Sequence, residues 1–272
     1  MSLDIDAQPS ETLVGLTQVP ALRRAEILGV PLAVADYEST MNWMDATIAG
    51  RHRVCLSAAA VHLVMVAQED EETRRAVAQT MTVPDGQPLV WALRALGHRQ
   101  ASRVYGPDLM ALYCERSART GVRMFLYGGR TDEALNRLQE ALLQRYPGLQ
   151  IVGSYSPPFR ALSDAEEREV AAAINDSGAD VVWVGTGQPK QEKWMAAMRG
   201  RLEAPILAGV GAAFDFHAGI VPQAPSWMQR AGLEWAYRLA REPRRLWRRY
   251  ARYNPRFLAG FLRQFVAHRF KG

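Results

Sequence analysis

Short apolar runs that end in glycine alternate with helical repeats along most of this 272-residue chain. That alternation limits the possible folds more than any other property. Residues 53–57, 122–127, 180–184 and 205–210 read as buried strands, and the last three run into Gly128-Gly129, Gly185-Thr186-Gly187 and Gly211. Between them, apolar residues recur at three- and four-residue steps over 60–68, 108–119, 131–146 and 189–198, the period of an amphipathic helix. Ser163-Asp164-Ala165-Glu166 has the form of a capping box and predicts a further helix over 163–174. Residues 27–35, interrupted by Pro31, predict an edge strand or strand pair. Residues 39–48 and 71–79 predict helices, 103–106 a short strand and turn, and 149–152 a strand. Strands and helices in this order build βαβ units, so the fold class is α/β, a parallel sheet with helices on both faces.

In such sheets ligands bind beyond the carboxyl ends of the strands. The glycines of this chain gather at those ends, at 106, 128–129, 185–187 and 209–211. One carboxylate belongs with them. Thr82-Val83-Pro84-Asp85-Gly86-Gln87 lies between two helical patterns; Pro84 fixes its own φ and Gly86 permits a sharp turn. A helix begins near Pro88 and buries Leu89, Val90, Leu93 and Leu96. Asp85, held between a rigid turn and that helix, suits a general base. Read in isolation, the same residues make an ordinary Pro-Asp-Gly surface turn.

The charge is unevenly spread. The whole chain carries +5, but residues 238–272 hold ten Arg and one Lys against the single acid Glu242, so the remainder is acidic. A basic end on an acidic body implies an anionic partner: phosphate, nucleic acid or lipid headgroup. Residues 233–252 read as one helix on which Arg238, Arg241, Arg245, Arg248 and Arg252 share a face, and Pro255 as the start of a last, amphipathic helix. Such arginines suit a diphosphate; a solvated basic face is the plainer reading.

Gly185-Thr186-Gly187-Gln188-Pro189-Lys190-Gln191-Glu192 runs from a strand into a helix, where free N–H groups favour an anion. It lacks the third glycine of a dinucleotide fingerprint and is not a P-loop. Gln191, one turn into the helix, is placed to bond a sugar or a base. His62 and His217 have no acid or cysteine at ligand spacing and read as wall or core histidines. Asp108 reads as a helix N-cap and Asp215 as a buried structural acid. Cys55 and Cys114 match no metal spacing and read as reduced thiols of a cytoplasmic protein. Asp4-Ile5-Asp6 falls in a polar tail and reads as chance. No signal peptide or membrane-spanning run is visible.

Taken together, these motifs resemble the WecG/TagA/CpsF family of bacterial glycosyltransferases. The resemblance runs over about residues 27–250. It rests on Val83-Pro84-Asp85-Gly86, Tyr105-Gly106-Pro107-Asp108-Leu109, Phe125-Leu126-Tyr127-Gly128-Gly129, Gly187-Gln188-Pro189-Lys190-Gln191-Glu192, Phe214-Asp215-Phe216, Ala224-Pro225-Ser226-Trp227, Gly232-Leu233-Glu234-Trp235 and Arg238-Leu239. It implies a Rossmann-like catalytic domain over 23–221, after a disordered tail over 1–22, and a basic helical, membrane-associating appendage over 222–272 that completes the site. The implied reaction is metal-independent and needs no cofactor. A sugar passes from a UDP-sugar to a polyprenyl-diphosphate-linked sugar, with inversion, at the inner face of the plasma membrane.

By the same resemblance Asp85 is the general base and Gln191 lies near the substrate. Gly128, Gly129, Gly185 and Gly187 line the nucleotide cleft, and Arg238, Arg245 and Arg248 hold the diphosphate. The sequence departs from the family at Leu56-Ser57-Ala58-Ala59, where Thr-x-Asn is usual. Ser57 keeps the hydroxyl, Ala59 removes the amide, and His62 is placed to replace some of its bonding. Two other classes share parts of this pattern. A nicotinamide-dependent oxidoreductase shares the fold class but needs a Gly-x-Gly-x-x-Gly turn; a non-catalytic membrane-surface or nucleic-acid-binding protein accounts for the basic end but not for Asp85 and Gln191.

Overall fold

The computed structural model describes residues 22–270. The tail expected over 1–22, with Asp4-Ile5-Asp6, lies outside the described residues apart from Leu22. The strands are β1 (Arg24–Ile27), β2 (Val30–Ala33), β3 (Val54–Ala59), β4 (Thr80–Pro84), β5 (Arg123–Gly128), β6 (Gln150–Tyr155), β7 (Val181–Gly185) and β8 (Ile206–Gly209). They form one sheet in the order β1-β2-β4-β3-β8-β7-β5-β6, and only the β1–β2 pair is antiparallel. Helices α1 (Tyr37–Ala49), α2 (Val61–Glu69), α3 (Glu71–Ala78), α4 (Gln87–Ala95), α5 (Gly106–Thr120), α6 (Asp132–Arg145), α7 (Asp164–Asp176) and α8 (Lys190–Met198) connect them and cover both faces. This is the expected Rossmann-like α/β architecture. The central strands are apolar on both faces, as parallel strands under two helical layers must be: Val181, Val182, Trp183 and Val184 are all fully buried.

Chain order reverses where β3 meets β8, with the β4 side built first and the β7–β5–β6 side later. A crevice opens at the carboxyl edge of a sheet at such a switch point. The capping box at Ser163 is present, with Ser163 and Glu166 bonding each other's backbone N–H.

Four local expectations are corrected. Residues 82–84, read as part of a turn between two helical patterns, belong instead to the fully buried strand β4. Its polar Thr80 and Thr82 hide the strand pattern; the Thr80 hydroxyl is satisfied internally by the Ala76 carbonyl at 2.8 Å. Residues 103–106 form no strand. Val104 makes a single backbone bond to the Pro84 carbonyl rather than a ladder, and α5 begins at Gly106. Asp108 is therefore inside the first turn of α5 and not its N-cap, and its Oδ2 accepts from the Tyr37 hydroxyl at 3.1 Å.

The fourth correction concerns the basic end. After α9 (Ala213–His217) and α10 (Ser226–Arg230), α11 (Glu234–Arg241) stops at Glu242, and α12 (Pro243–Arg269) begins with a proline in its first turn. Pro243 has no N–H to continue α11 but is tolerated where a new helix starts. Pro255 lies inside α12, whose docked face carries it through: Tyr253, Phe257 and Phe261 pack on the apolar cluster of Ile27, Leu63, Val64 and Leu89. Arg238 and Arg241 thus sit on one helix and Arg245, Arg248 and Arg252 on another, so the five do not share a face. Two side-chain bonds from Gln264 to the β1–β2 hairpin, at Leu28 N and Glu26 O, hold the far end of α12. Among the described residues no helix is long and apolar enough to cross a membrane.

Candidate active site

A cleft of about 1430 Å³ lies along the carboxyl edge of the sheet, between the strand ends and α10–α12. Asp85, the residue after β4, lines it. Three bonds fix its position. Its N–H donates to the Ala59 carbonyl at 2.9 Å, where β3 ends. Its own carbonyl accepts from Arg103 Nε at 2.6 Å. Its Oδ1 accepts from the Gly106 N–H, at the start of α5, at 2.8 Å. A carboxylate so held keeps few rotamers. Burial pushes its carboxyl up to about 6; the Arg103 guanidinium opposes the rise, the Glu234 carboxylate adds to it, and the Gly106 N–H and Arg238 oppose it. A base poised near neutrality is what proton abstraction at ordinary pH requires.

The charged surroundings come from three segments. Arg103 lies 4.1 Å over the Tyr105 ring and donates from Nη2 to Glu234 Oε2 at 2.5 Å, both side chains largely buried. Arg238 lines the cleft on α11, with its guanidinium 5.7 Å from the Phe216 ring centroid. Its buried Nε has no hydrogen-bond partner among the described residues. Across the cleft, Arg130 makes a two-point pair with Asp215, at 3.0 and 2.8 Å. Asp215, read from sequence as a buried structural acid, is instead a half-buried cleft residue.

Glycines let backbone come close at this edge. Gly128 lies against Gly185 on the next strand, where any Cβ would meet that backbone at 2.9 Å. A Cβ on Gly185 would strike the Phe214 ring at 2.5 Å. Gly129, Gly185, Gly187 and Gly211 line the cleft; Gly128 sits just behind. Tyr127 and Trp194 stack at 3.8 Å along the same wall. The Thr186 hydroxyl and Trp194 Nε1 are buried, line the cleft and lack partners among the described residues. Buried polar groups without partners are uncommon, and a ligand in the cleft is one way to satisfy them.

Two expected site residues lie elsewhere. Gln191 is fully buried beneath the cleft floor and does not line it. Its Oε1 accepts from Gly211 N at 3.0 Å, and its Nε2 donates to Glu192 Oε1 at 2.8 Å. Ser57, also fully buried, donates to that same Oε1 at 2.6 Å. The two expected contacts therefore form an internal network that fixes the Gly211 turn. Ala59 is packed among Leu63, Val64 and Leu89, and Gln188 binds the β3 end from above, donating to the Ala58 carbonyl at 2.6 Å.

Of the three arginines implied for the diphosphate, Arg238 lines the cleft. Arg248 does not, and its guanidinium stacks 5.5 Å from the exposed Trp247. The side chain of Arg245 lies outside what is described. Arg249, one residue further along α12, does line the cleft. His62 lines it too, edge-on to Tyr253 at 5.2 Å, and burial with the nearby Arg249 charge pushes its ring down to about 4, so it is neutral near pH 7. His217 does not line the cleft; its Nε2 lies 2.8 Å from the Pro107 carbonyl.

Sequence reasoning missed Arg103, Arg130, Glu234 and Thr186. Arg130 had a signal, since it follows Gly128-Gly129 at a strand end. Thr186 stands between Gly185 and Gly187, two of the glycines expected to line the cleft. Glu234 stands inside Gly232-Leu233-Glu234-Trp235, one of the motifs that carry the resemblance, but nothing there gives it a role; Arg103 has no such signal. Among the described residues no group of three His, Cys, Asp or Glu side chains is arranged to hold a metal ion. The family model described as "Glycosyl transferase WecG/TagA/CpsF family" matches residues 25–271, nearly the whole chain.

Proposed function

Because the chain belongs to the WecG/TagA/CpsF glycosyltransferase family, we propose that the cleft transfers a sugar from a UDP-sugar to a polyprenyl-diphosphate-linked sugar, with inversion, in cell-surface polysaccharide synthesis. The observation that carries this reading is Asp85, anchored at three points on the sheet rim, raised towards neutrality and facing glycine turns. Its Oδ1 takes the Gly106 N–H; its other oxygen accepts the acceptor hydroxyl proton. The hydroxyl oxygen then bonds to the anomeric carbon as the bond from that carbon to the diphosphate oxygen breaks. The electron pair leaves on UDP. Attack on the face opposite the leaving group inverts the centre.

The departing diphosphate gathers negative charge, and cations aimed at developing charge stabilise the transition state. Arg238 is the first candidate, with Arg249 and Arg130 on the same cleft. Gly129, Gly185 and Gly187 admit the phosphates against the backbone, with Gly128 packing behind them. In this reading protein cations meet the diphosphate charge and no metal is called for. Gln191 and Ser57 act from beneath as positioning residues, with Arg248 outside the inner cleft.

The reading puts the reaction at the inner, cytoplasmic membrane face, and α12 supports work at an anionic surface. Leu258, Leu262, Val266 and Phe270 recur every four residues and are exposed, flanked by Arg256, Arg263 and Arg269. An apolar stripe edged by arginine suits a headgroup boundary.

Thermal unfolding with candidate ligands tests the reading. UDP is expected to raise the melting temperature, with NAD and duplex DNA leaving it unchanged. Stabilisation by NAD or DNA and none by UDP would overturn it. Release of UDP from a panel of UDP-sugars, offered with a lipid-linked monosaccharide, then identifies the donor.

A further inference from the structure

Arg103 is one guanidinium shared between two carboxyl-bearing residues. Its Nε holds the Asp85 backbone carbonyl, its Nη2 holds Glu234 Oε2, and its plane is pinned over Tyr105. Asp85 directly follows β4 of the sheet, whereas Glu234 is the first residue of α11, in the segment that roofs the cleft. The roof is closely seated here: a Cβ on Gly232 would meet the Trp91 ring at 2.9 Å.

We propose that Glu234 is a positioning residue for Asp85: it holds the Arg103 guanidinium on its own carboxylate, and so keeps Arg103 from pairing with the Asp85 side chain. This rests on the reading of Asp85 as the base. A largely buried guanidinium needs an acceptor, because an unmet charged donor is costly. With Glu234 docked, the acceptor is Glu234. With α11 lifted or Glu234 removed, Asp85 is the carboxylate beside Arg103, and an Arg–carboxylate pair is strong and directional. A carboxylate committed to such a pair is a weaker base and points away from the acceptor.

The groups that act on Asp85 come from every element around it. The loop before α5 gives Arg103 and Tyr105, α5 gives the Gly106 N–H, and α11 gives Glu234 and Arg238. The same cleft also holds His62 from α2 and Arg249 from α12. Among these, Glu234 raises the Asp85 carboxyl, while Arg103 and Arg238 lower it.

The test is a carbon-13 carboxyl titration of Asp85 in the full chain, assigned by its loss in Asp85→Asn. In Glu234→Gln the Asp85 midpoint is expected to fall by about one pH unit, the scale for a carboxylate gaining a close cation. The acid limb of kcat/KM should move down with it and the kcat plateau should drop, with the donor KM little changed. Glu234→Asp should recover part of both. In an Arg103→Met background the midpoint should rise, and Glu234→Gln should then move it little. An unmoved midpoint in folded Glu234→Gln would overturn the proposal. So would an equal fall without Arg103. If Asp85→Asn instead kept its activity, the base assignment would fail while the titration still reported on Glu234.

Discussion

The Gly106 N–H donates to Asp85 Oδ1 at 2.8 Å, and this bond joins the first turn of α5 to the end of β4. Gly106 can stand there only because it lacks a side chain: a Cβ would meet the Val210 carbonyl oxygen at 2.9 Å and the Ala58 Cβ at 3.3 Å. The helix start, the β8 end and the carboxylate are thus mutually placed. Val210 leads into Gly211, whose N–H is held from below by Gln191. A chain of short contacts therefore runs from the buried Ser57–Glu192–Gln191 group to the rim.

Gly106→Ala should damage this junction. Overpacking against backbone costs about 1–3 kcal/mol. The displaced N–H should also release Asp85. We expect a lower melting temperature and a kcat reduced about tenfold or more, with donor KM nearly unchanged, measured by calorimetry and steady-state UDP release.

The pH dependence follows from the direction of the Asp85 shift. A base works when deprotonated, and its carboxyl is raised to about 6. Activity should therefore hold near neutrality and fall as pH drops through about 6. An ordinary surface aspartate would hold its activity to about pH 4. A kcat/KM profile between pH 5 and 8, which reports the groups of the free enzyme, distinguishes the two.

Glu192 supplies a stability prediction. It is fully buried, and burial raises its carboxyl above the usual value of 4.5, against the bonds from Ser57 and Gln191. A group raised on folding contributes stability that is fully present below 4.5 and lost as pH rises through its folded value. Glu192→Gln keeps an acceptor oxygen for Ser57 and Gln191 and stays neutral. Its stability relative to the parent should grow as pH rises from 4.5 towards 8. Glu192→Ala strands both donors and should cost about 1–3 kcal/mol. Urea unfolding across pH measures both.

The exposed stripe of α12 predicts a separable loss. Leu258 and Leu262 are 67 and 59 % exposed, so Leu258→Glu with Leu262→Glu should change folding stability by less than about 1 kcal/mol. Binding to vesicles containing anionic lipid should weaken at least tenfold. Co-sedimentation reads the binding and thermal unfolding checks the fold.

Much of the architecture was legible because buried parallel strands are apolar on both faces. Residues 181–184 and 206–209 declare themselves that way. The strand β4 did not, since Thr80 and Thr82 look polar until the Thr80 hydroxyl is seen bonded to the Ala76 carbonyl. Asp85 was visible through its proline and glycine neighbours. The direction of Gln191 was not: helical period put it near the rim, but it faces Gly209, where a Cβ would meet its Nε2 at 2.7 Å. Arg103 and Glu234 lie 131 residues apart, and no local pattern pairs charges over such a distance. The break at Glu242 was written in Pro243, which was outweighed by the repeat of arginines across it.

The most direct test of the account is the rate of UDP release with a lipid-linked monosaccharide acceptor, measured for the parent chain and for Asp85→Asn at pH 7.5. Asparagine keeps the shape and can still accept the Gly106 N–H, but it cannot take the proton. Turnover is expected to fall about 100-fold or more, with UDP affinity measured by calorimetry within about twofold of the parent. Turnover retained within a few fold in a folded Asp85→Asn that still binds UDP would contradict it.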